Sequence, residues 1–529
     1  MKSTRFIGNA ADRNSGVYNL SEINEKIQDQ TYPTNYEIEN SCRFDGTSGY
    51  LYRTPTNNNG STYTFSVWIK RSGLSSLMNI ISAKNSNTNS SNLSITSSDT
   101  LVTDKPGVNF HTLPNVLRDT GSWYHIVINY NNTASSIYIN GVGSTGSAIT
   151  YGNINTNVLH RIGVASNTTA NYFNGYMADV HFIDGQALDP TYFAHTHPST
   201  GRWSPKRYQG TYGTNGFHLE FKNDGTHTGV GGIGEDTSGN GNHWDVLGMT
   251  AHPIVPDSPS NNFATLNALM LRGGTLSEGN LKLSGGGNNT GSFANLLIPK
   301  TGKYYVEVRT NDTTDDHALA LFPNNSEFAI TNQYSTNAIY ITSYGGAISV
   351  LTNNNSTTLG SVNETATTSG DVHGYLVDVG NGLLSFYKNG VHKLTLTNWS
   401  PLDLEYAIGY NVNTTWPACN KTFNFGQDPT FAGTETPTKT YSDANNRGKF
   451  LYPLPAGALA LCEKNLVQPQ DSISEYRLDD TNTKALTYTG NVEISKFTPY
   501  AQDGYSIYFE GSSYPVSYTH LTLPTILLV

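Results

Sequence analysis

Several short stretches carry residue types that could do chemistry. Residues 229–234, GVGGIG, have the spacing G-x-G-x-x-G of a loop that holds a dinucleotide. Such a site needs a helix to follow, because N–H groups at a helix N-terminus bind the phosphates. The next residues, EDTSGN at 235–240, bring carboxylates that repel phosphate and a glycine that disfavours a helix. We therefore interpret residues 229–234 as a plain loop.

Metal ligands are also suggested by residue type but not by spacing. Residues 236–241, DTSGNG, resemble the first half of a Ca²⁺ loop, but the twelfth position is Leu247 instead of a bidentate Glu. An Asx turn is the simpler interpretation. The tightest histidine groups are 195–197, HTH, and 243–245, HWD. Neither has a second ligand pair on a recognisable helix, so loop histidines and no metal site are predicted.

No pattern predicts catalysis. A G-x-S-x-G nucleophile elbow is absent from the sequence. The carboxylate pairs at 315–316 and 479–480 are sequence neighbours, whereas a glycosidase needs two carboxylates that converge across a cleft. Solvated turn residues are the simpler interpretation, so we expect no enzyme.

Two aromatic residues are candidates for binding. Tyr172 and Trp416 lie in or beside turns rich in Asn and Thr. A flat aromatic ring can stack on a sugar while neighbouring amides bind its hydroxyl groups, and loops often carry function. The simpler interpretation is that each ring caps a sandwich core.

Composition limits the class of protein. Charged residues make up only 14% of the 529 residues, while Gly (51) and Tyr (33) are frequent, which is typical of an all-β chain with many turns. The net charge of −10 and the absence of a basic stripe argue against a nucleic-acid partner. Three distant cysteines predict neither a disulfide framework nor a metal site. No secretory signal and no membrane span are recognised.

Alternating strands dominate from residue 38 to residue 200. In TYTFSVWIKRS (62–72), Phe65, Val67 and Ile69 lie on one face, with Trp68 on the other. The stretch 121–142 predicts a hairpin that ends at Asn-Gly, 140–141, a pair suited to a turn with positive φ. A further strand, FNGYMADVHFID, follows at 173–184.

Together these three motifs resemble the laminin G-like, concanavalin A-type jelly roll. The resemblance implies a sandwich of two antiparallel sheets that binds glycans or proteins through loops at one edge. Some members use Ca²⁺, but none of this chain's residues can be matched to their ligands, so no cofactor is assigned.

A second β pattern covers residues 263–432. It includes GKYYVEV (302–308), GDVHGYLVDVGNGLLSFYKNGV (370–391), Trp416 and NFGQDPTF (424–431). In this order the motifs resemble a SPRY domain, which implies a second β-sandwich used for binding and no catalysis. The expected fold is therefore all-β, with tandem antiparallel sandwiches and irregular linkers.

The order of modules resembles virion or tail-fibre proteins of tailed bacteriophages of marine bacteria. Segments such as GRWSPKRYQGTYG (201–213) and FLYPLPAGALALCEKN (450–465) have the same character. The predicted parts are an attachment or assembly segment (1–37), a laminin G-like jelly roll (38–200), a Gly/Asn-rich linker (201–262), a SPRY domain (263–432), a second linker (433–490), the start of another laminin G-like domain (491–515) and a tail of foreign origin (516–529).

The last two parts rest on the C-terminal sequence. GYSIYFEGSSY (504–514) echoes NSCRFDGTSGY (40–50), the opening of the first jelly roll. VSYTHLTLPT (516–525) resembles a translated sequencing adapter. We therefore expect the natural protein to continue beyond residue 514.

The predicted function is a phage virion structural protein of a tail fibre or appendage. It would be assembled in the host cytoplasm and would contact other virion proteins and a host-surface glycan or protein. A homo-oligomer would suit this class, although no heptad or collagen repeat indicates one. The alternatives are a fragment of a tailspike-type capsule depolymerase and a bacterial surface adhesin.

Overall fold

The computed structural model describes most of the chain between residues 36 and 466, and four short strands beyond it. The described ranges are 36–86, 89–105, 108–132, 134–147, 153–197, 201–249, 252–285, 290–311, 319–324, 338–344, 347–352, 357–363, 367–397, 399–411, 419–466, 487–489, 492–495, 506–509 and 514–516. The described residues up to Asn465 form one compact unit, and those from Leu466 form a second.

Antiparallel strands build the first half of the larger unit. In chain order they are β1 (Ser41–Asp45), β2 (Tyr50–Arg53), β3 (Tyr63–Arg71), β4 (Met78–Ser86), β5 (Asn89–Ile95), β6 (Thr100–Lys105), β7 (Val108–Val116), β8 (Trp123–Tyr130), β9 (Ala134–Ile139), β10 (Val142–Ser147), β11 (Leu159–Ile162), β12 (Asn174–Asp184), β13 (Ala194–Thr196), β14 (Trp203–Pro205), β15 (Phe217–Leu219), β16 (Asp245–Leu247) and β17 (Ile254–Val255). A 3₁₀ turn, Pro190–Tyr192, precedes β13.

These strands form two stacked sheets and a ribbon. The first sheet has the order β10-β9-β8-β3-β12-β1-β17, with β15 also paired to β12. The second has the order β16-β2-β11-β4-β5-β6-β7, and β13 pairs with β14. The predicted Asn-Gly turn joins β9 to β10, with φ of 50° at Asn140 and 80° at Gly141.

The second sandwich follows the same principle. Its strands are β18 (Thr275–Ser277), β19 (Lys282–Gly285), β20 (Gly291–Phe293), β21 (Lys303–Thr310), β22 (Leu319–Pro323), β23 (Ile339–Tyr344), β24 (Ala347–Thr352), β25 (Thr357–Asn363), β26 (Val372–Asp378), β27 (Leu383–Lys388), β28 (Val391–Leu396), β29 (Tyr406–Asn411), β30 (Cys419–Asn424), β31 (Tyr441–Ser442), β32 (Lys449–Phe450) and β33 (Ala458–Leu459). A 3₁₀ turn (Ala268–Met270) precedes β18, and a short helix, α1 (Glu463–Leu466), follows β33.

Its two sheets have the orders β18-β19-β30-β21-β26-β27-β28 and β20-β29-β22-β23-β24-β25. Strand β33 pairs in parallel with β21, and β31 pairs with β32. The chain is thus a tandem β-sandwich protein, as the alternating patterns predict. Among the described residues, no helix has the length and apolar character needed to cross a membrane.

Both segments predicted as linkers take part in the sandwiches. Residues 201–262 supply β15 and β17 to the first sheet of the first sandwich and β16 to its second sheet. Residues 433–465 supply β33 to the second sandwich. The strands in these segments have only two or three residues, which are too few for an alternating pattern to appear.

Strand β3 shows how these segments change the core. Phe65, Val67 and Ile69 enter the main core, as predicted. All nine residues of β3 are nevertheless buried. The other face of β3 is covered as well, because its Trp68 packs in a second hydrophobic cluster, which includes Trp123 and Tyr176. At β3 the outer face of this sheet is therefore covered by other parts of the chain rather than exposed to solvent.

Buried polar contacts join the two sandwiches. Arg43 in β1 donates a hydrogen bond of 2.8 Å from Nη1 to Oδ2 of Asp428, and both side chains are almost fully buried. The Tyr176 hydroxyl donates to the carbonyl oxygen of Gly279 at 2.7 Å. These bonds specify how the sandwiches pack, because an unpaired buried charge would be costly.

The described strands of the second unit form two antiparallel ribbons. Strand β34 (Thr487–Thr489) pairs with β37 (Tyr514–Val516), and β35 (Val492–Ser495) pairs with β36 (Ser506–Phe509). Residues 517–529, most of the stretch that resembles an adapter, lie outside the described residues.

Candidate functional site

The two predicted binding aromatics do not come together in the described structure. Tyr172 is half-buried just before β12, where its ring lies 6.3 Å from the ring of Tyr50 at a tilt of 50°. Trp416 lies outside the described residues. Ligand binding by this pair stays a prediction.

The predicted Asx turn at Asp236 is confirmed. Its Oδ1 accepts backbone N–H bonds from His218 and Ser238, both at 2.9 Å, and its Oδ2 accepts from Asn242 at 2.7 Å. The carboxylate therefore closes a loop with its own neighbours. Residues 229–234 likewise form a loop and are not followed by a helix. The carboxylate pairs at 315–316 and 479–480 lie outside the described residues.

Sequence reasoning missed a buried cluster of Asp179, His181 and His218. Asp179 and His181 lie in β12, at an irregularity where the pairing with β3 shifts, and Asp179 has a φ of 50°. His218 in β15 pairs directly with His181, and their rings stack with centroids 4.1 Å apart and 9° between planes. Asp179 and His181 lie in the predicted jelly roll and His218 lies in the predicted linker, so neither stretch of sequence alone indicates the cluster.

The carboxylate of Asp179 faces both imidazoles. His218 Nε2 lies 2.8 Å from Oδ1 and His181 Nε2 lies 3.1 Å from Oδ2. On the other side of the two rings, His181 Nδ1 lies 2.9 Å from the Tyr212 hydroxyl and His218 Nδ1 lies 3.0 Å from the Thr237 hydroxyl.

Burial and charge act in opposite directions on the pKa values of Asp179 and His181. Burial opposes ionisation of Asp179, but the attraction of His181 and the contacts with both rings outweigh it, so its pKa is held well below the usual range. Burial lowers the pKa of His181, although Asp179 counteracts the effect.

A metal ion does not fit this geometry. The three side chains bring their ligand atoms within 4.8 Å of one another. However, an ion about 2 Å from both Nε2 atoms would lie well outside the planes of two nearly parallel rings, whereas imidazole binds metals in its plane. The cluster is therefore a buried polar group at the irregular part of β12, in which Asp179 Oδ1 accepts hydrogen bonds from His218 and from the Tyr36 hydroxyl.

The tryptophan cleft is the larger candidate. We use this name for a cleft of about 570 Å³ whose lining includes Trp68, Trp123, Trp203, Arg202, Leu296 and Glu463. Trp68 and Trp123 come from the adjacent strands β3 and β8, Trp203 from β14, and Leu296 from the second sandwich. Its volume is within the range of small-molecule sites, about 300–1,000 Å³.

Trp68, Trp123 and Trp203 form the aromatic wall of the tryptophan cleft. His125 holds this wall in place. Its ring stacks on Trp68 with centroids 4.6 Å apart, and its Nδ1 accepts a hydrogen bond of 3.1 Å from Trp203 Nε1. Its Nε2 then donates to Ser66 Oγ at 2.8 Å. Burial lowers the pKa of His125 to about 3, so the ring is neutral and keeps this acceptor for Trp203.

The Asn-Gly turn closes one side of the wall. A Cβ atom on Gly141 would lie only 2.8 Å from the Trp203 ring, so this position needs glycine for contact as well as for its φ. The neighbouring Asn140 Oδ1 accepts a hydrogen bond of 2.8 Å from the His125 backbone N–H.

The polar groups of the tryptophan cleft are balanced in charge. Arg202 and Glu463 form an ion pair at its rim, and the Arg202 side chain is 46% exposed. The Trp123 N–H donates to Asp257 Oδ1 at 3.3 Å, and Asp257 is also paired with the buried Lys70 at 2.9 Å.

None of the residues that line this cleft was predicted from the sequence to bind a ligand. One signal was available: Trp68 occupies the face of β3 opposite the core residues. A tryptophan on a face expected to meet solvent could have indicated a binding or packing surface. Trp203 and Glu463 carried no such signal, because β14 and α1 have only three and four residues and show no pattern.

Comparisons with known proteins agree with a lectin-like first sandwich. Residues 45–191 match the family model described as the concanavalin A-like lectin/glucanases superfamily. No curated protein matches the chain. The first sandwich is therefore lectin-like, within a chain of tandem sandwiches.

Three solved structures are among those to which parts of this chain are similar. A native heptameric SAP-like pentraxin from Limulus polyphemus is 20% identical, with 29% of this chain and 79% of that chain covered and a TM-score of 0.25. The SPRY domain of human HERC1 is 16% identical, with coverages of 27% and 87% and a TM-score of 0.22. Domains LG4-5 of the mouse laminin alpha1 chain are 10% identical, with coverages of 74% and 89% and a TM-score of 0.26.

Proposed function

We propose that this chain is a structural protein of a tailed-phage virion, in a tail fibre or similar appendage, that binds a host-surface glycan or protein. It is assembled in the host cytoplasm and contacts other virion proteins. The observation that carries this proposal is the match of residues 45–191 to a lectin/glucanase superfamily model. The order of modules in the sequence supports the virion role.

Binding is favoured over hydrolysis by the chemistry of the tryptophan cleft. Among its described lining residues, Glu463 is the carboxylate, and it is paired with Arg202. Hydrolysis of a glycosidic bond normally uses two carboxylates on opposite sides of the bond. A paired glutamate beside aromatic rings is suited to holding a ligand, so we propose a non-enzymatic adhesion role.

The test of adhesion uses the full chain, because residues 201–262 are part of the first sandwich. Purified protein is added to host cells before the phage that carries the gene, and free phage is then counted. We expect the protein to bind the cells and to reduce phage adsorption, whereas the heat-unfolded protein should not. Normal adsorption at saturating protein, with no binding to cells, would show that the adhesion role is wrong.

Two further measurements separate the alternatives. Mass spectrometry of purified virions should find peptides of this chain, and their absence would contradict the virion assignment. Incubation with host envelope polysaccharide should release no new reducing ends. Their release would identify a depolymerase instead.

A further inference from the structure

We propose that the tryptophan cleft is the glycan-binding site and that its ligand is a short uncharged saccharide. This inference rests on the proposed function and deepens it, because it names the site and the class of sugar. The cleft lies on the outer face of the first sheet, where segment 201–205 and the second sandwich border it.

The aromatic lining suits the apolar face of a sugar ring. Trp203 is half-buried and provides accessible ring surface. Trp68 and Trp123 are only 3% and 7% exposed and form the rest of the aromatic wall. Aromatic rings of this kind combine a large apolar surface with an N–H donor, which matches the mixed surface of a saccharide. His125 and Gly141 keep Trp203 in place, so little order has to be gained on binding.

An unpartnered donor points to a hydroxylated ligand. The Trp68 N–H is buried and has no hydrogen-bond partner among the described residues. The other two indoles are partnered, Trp123 by Asp257 and Trp203 by His125. A buried donor without an acceptor costs free energy, so a sugar hydroxyl that comes within reach of the Trp68 N–H would be stabilising.

Charge balance favours an uncharged sugar over a uronate or sialate. The cation at the rim, Arg202, is paired with Glu463. The cation behind the wall, Lys70, is paired with Asp257 and also donates to Asn262 Oδ1 at 2.7 Å. A carboxylated sugar would have to compete for cations that already have partners, whereas an uncharged sugar has no such requirement.

The test measures saccharide binding to the full chain by calorimetry and by tryptophan fluorescence. The probes are uncharged disaccharides of hexoses and N-acetylhexosamines, together with the same disaccharides carrying a uronate. We expect the wild-type chain to bind at least one uncharged probe more tightly than its uronate counterpart. Tighter binding of the uronate forms, or no binding of any uncharged probe, would overturn the proposal.

Two variants locate the binding. Leu296→Trp should fill the cleft and weaken binding by about tenfold or more. Trp68→Phe keeps an aromatic ring on β3 but removes the N–H and part of the ring surface, and should weaken binding by about threefold to tenfold. Leu247→Trp is the matched control, because Leu247 is 51% exposed on β16 in the other sheet. It should bind as the wild type does.

The outcomes distinguish this inference from the proposed function. If Leu296→Trp and Trp68→Phe both fold, by thermal unfolding, and bind the sugar like the wild type, the cleft assignment is wrong while adhesion through another surface stands. If Leu296→Trp fails to fold, Trp68→Phe alone decides the assignment. If the wild-type chain binds uncharged sugars but not host cells, the cleft stands and the adhesion role is wrong.

Discussion

At the scale of single residues, burial decides the chemistry of the histidines. His125 and His160 are almost completely buried, and burial lowers their pKa values to about 3 and about 4. His160 is held as a neutral ring, since its Nδ1 donates to the Val158 carbonyl at 2.8 Å and its Nε2 accepts the Asn155 N–H at 3.1 Å. Their role is therefore structural at neutral pH.

The first prediction concerns His160 and acid. The unfolded chain takes up a proton at this histidine below about pH 6.5, but the folded chain does so only below about pH 4. The unfolding free energy should therefore fall as the pH decreases from about 6.5 to 4. The His160→Gln variant cannot take up this proton, so its fall should be smaller by about 2–3 kcal/mol. Urea denaturation at several pH values measures both.

The variant has to be compared with the wild type, because another buried group changes the unfolding free energy with pH in the opposite direction. Burial raises the pKa of Glu307 to about 7, although the N–H groups of Leu451 and Tyr452 favour its carboxylate. Its contribution to stability is present below about pH 4.5 and is lost as the pH rises through 7. His252→Gln is the matched control, since that side chain is 45% exposed. Equal pH slopes for His160→Gln and wild type would contradict the prediction.

At the scale of elements, short loop segments determine which strand faces are buried. The turn between β9 and β10 follows directly from its Asn-Gly pair and was predictable, whereas β10 itself, VGSTGS, shows no alternation. Strand β14 was not predictable, because three residues, Trp203–Pro205, are too few to show a pattern. Yet β14 carries Trp203 onto the outer face of the first sheet and so completes the aromatic wall.

The second prediction separates backbone strain from contact at the hairpin turn. Gly141 and Gly185 have almost the same φ, 80° and 83°, but only at Gly141 would a Cβ atom meet a neighbour, the Trp203 ring. Gly185→Ala should cost about 1 kcal/mol for the left-handed conformation. Gly141→Ala should cost a further 1–3 kcal/mol or so, because the added methyl overpacks the ring.

Thermal unfolding and tryptophan fluorescence measure the two variants. Gly141→Ala should also shift the emission of the folded protein, since Trp203 has to move, whereas Gly185→Ala should leave the emission unchanged. Equal losses of stability with unchanged emission in both variants would show that the contact with Trp203 contributes nothing.

At the scale of the whole molecule, buried ion pairs connect parts that are distant in sequence. Arg43 of the first sandwich and Asp428 of the second are 385 residues apart and are joined in the buried interface. Asp428 also accepts bonds from the Thr430 N–H at 3.0 Å and the Ala432 N–H at 2.9 Å. Attraction to Arg43 and these bonds outweigh burial and lower the pKa of Asp428.

The third prediction tests this interface. Arg43→Met leaves Asp428 as a buried carboxylate without its cation, so it should destabilise the chain by about 3–5 kcal/mol. Lys300→Met is the matched control, because Lys300 and its partner Asp403 are 48% and 92% exposed, and it should change stability by less than about 1 kcal/mol. Guanidinium denaturation measures both. Similar small effects of the two variants would show that the buried pair does not hold the sandwiches together.

The sequence by itself determined the local structure: strands from period-two alternation, as in Phe65, Val67 and Ile69, and turns from Asn-Gly pairs. Such strands and turns follow from the types of the few residues that are neighbours in the sequence. Only the tertiary structure decided the cleft and the histidine cluster. The cleft brings together Trp68, Trp203, Leu296 and Glu463, because distant strands pair and two sandwiches pack. Alternation shows which residues share one face of a strand, but it does not show which part of the chain covers that face.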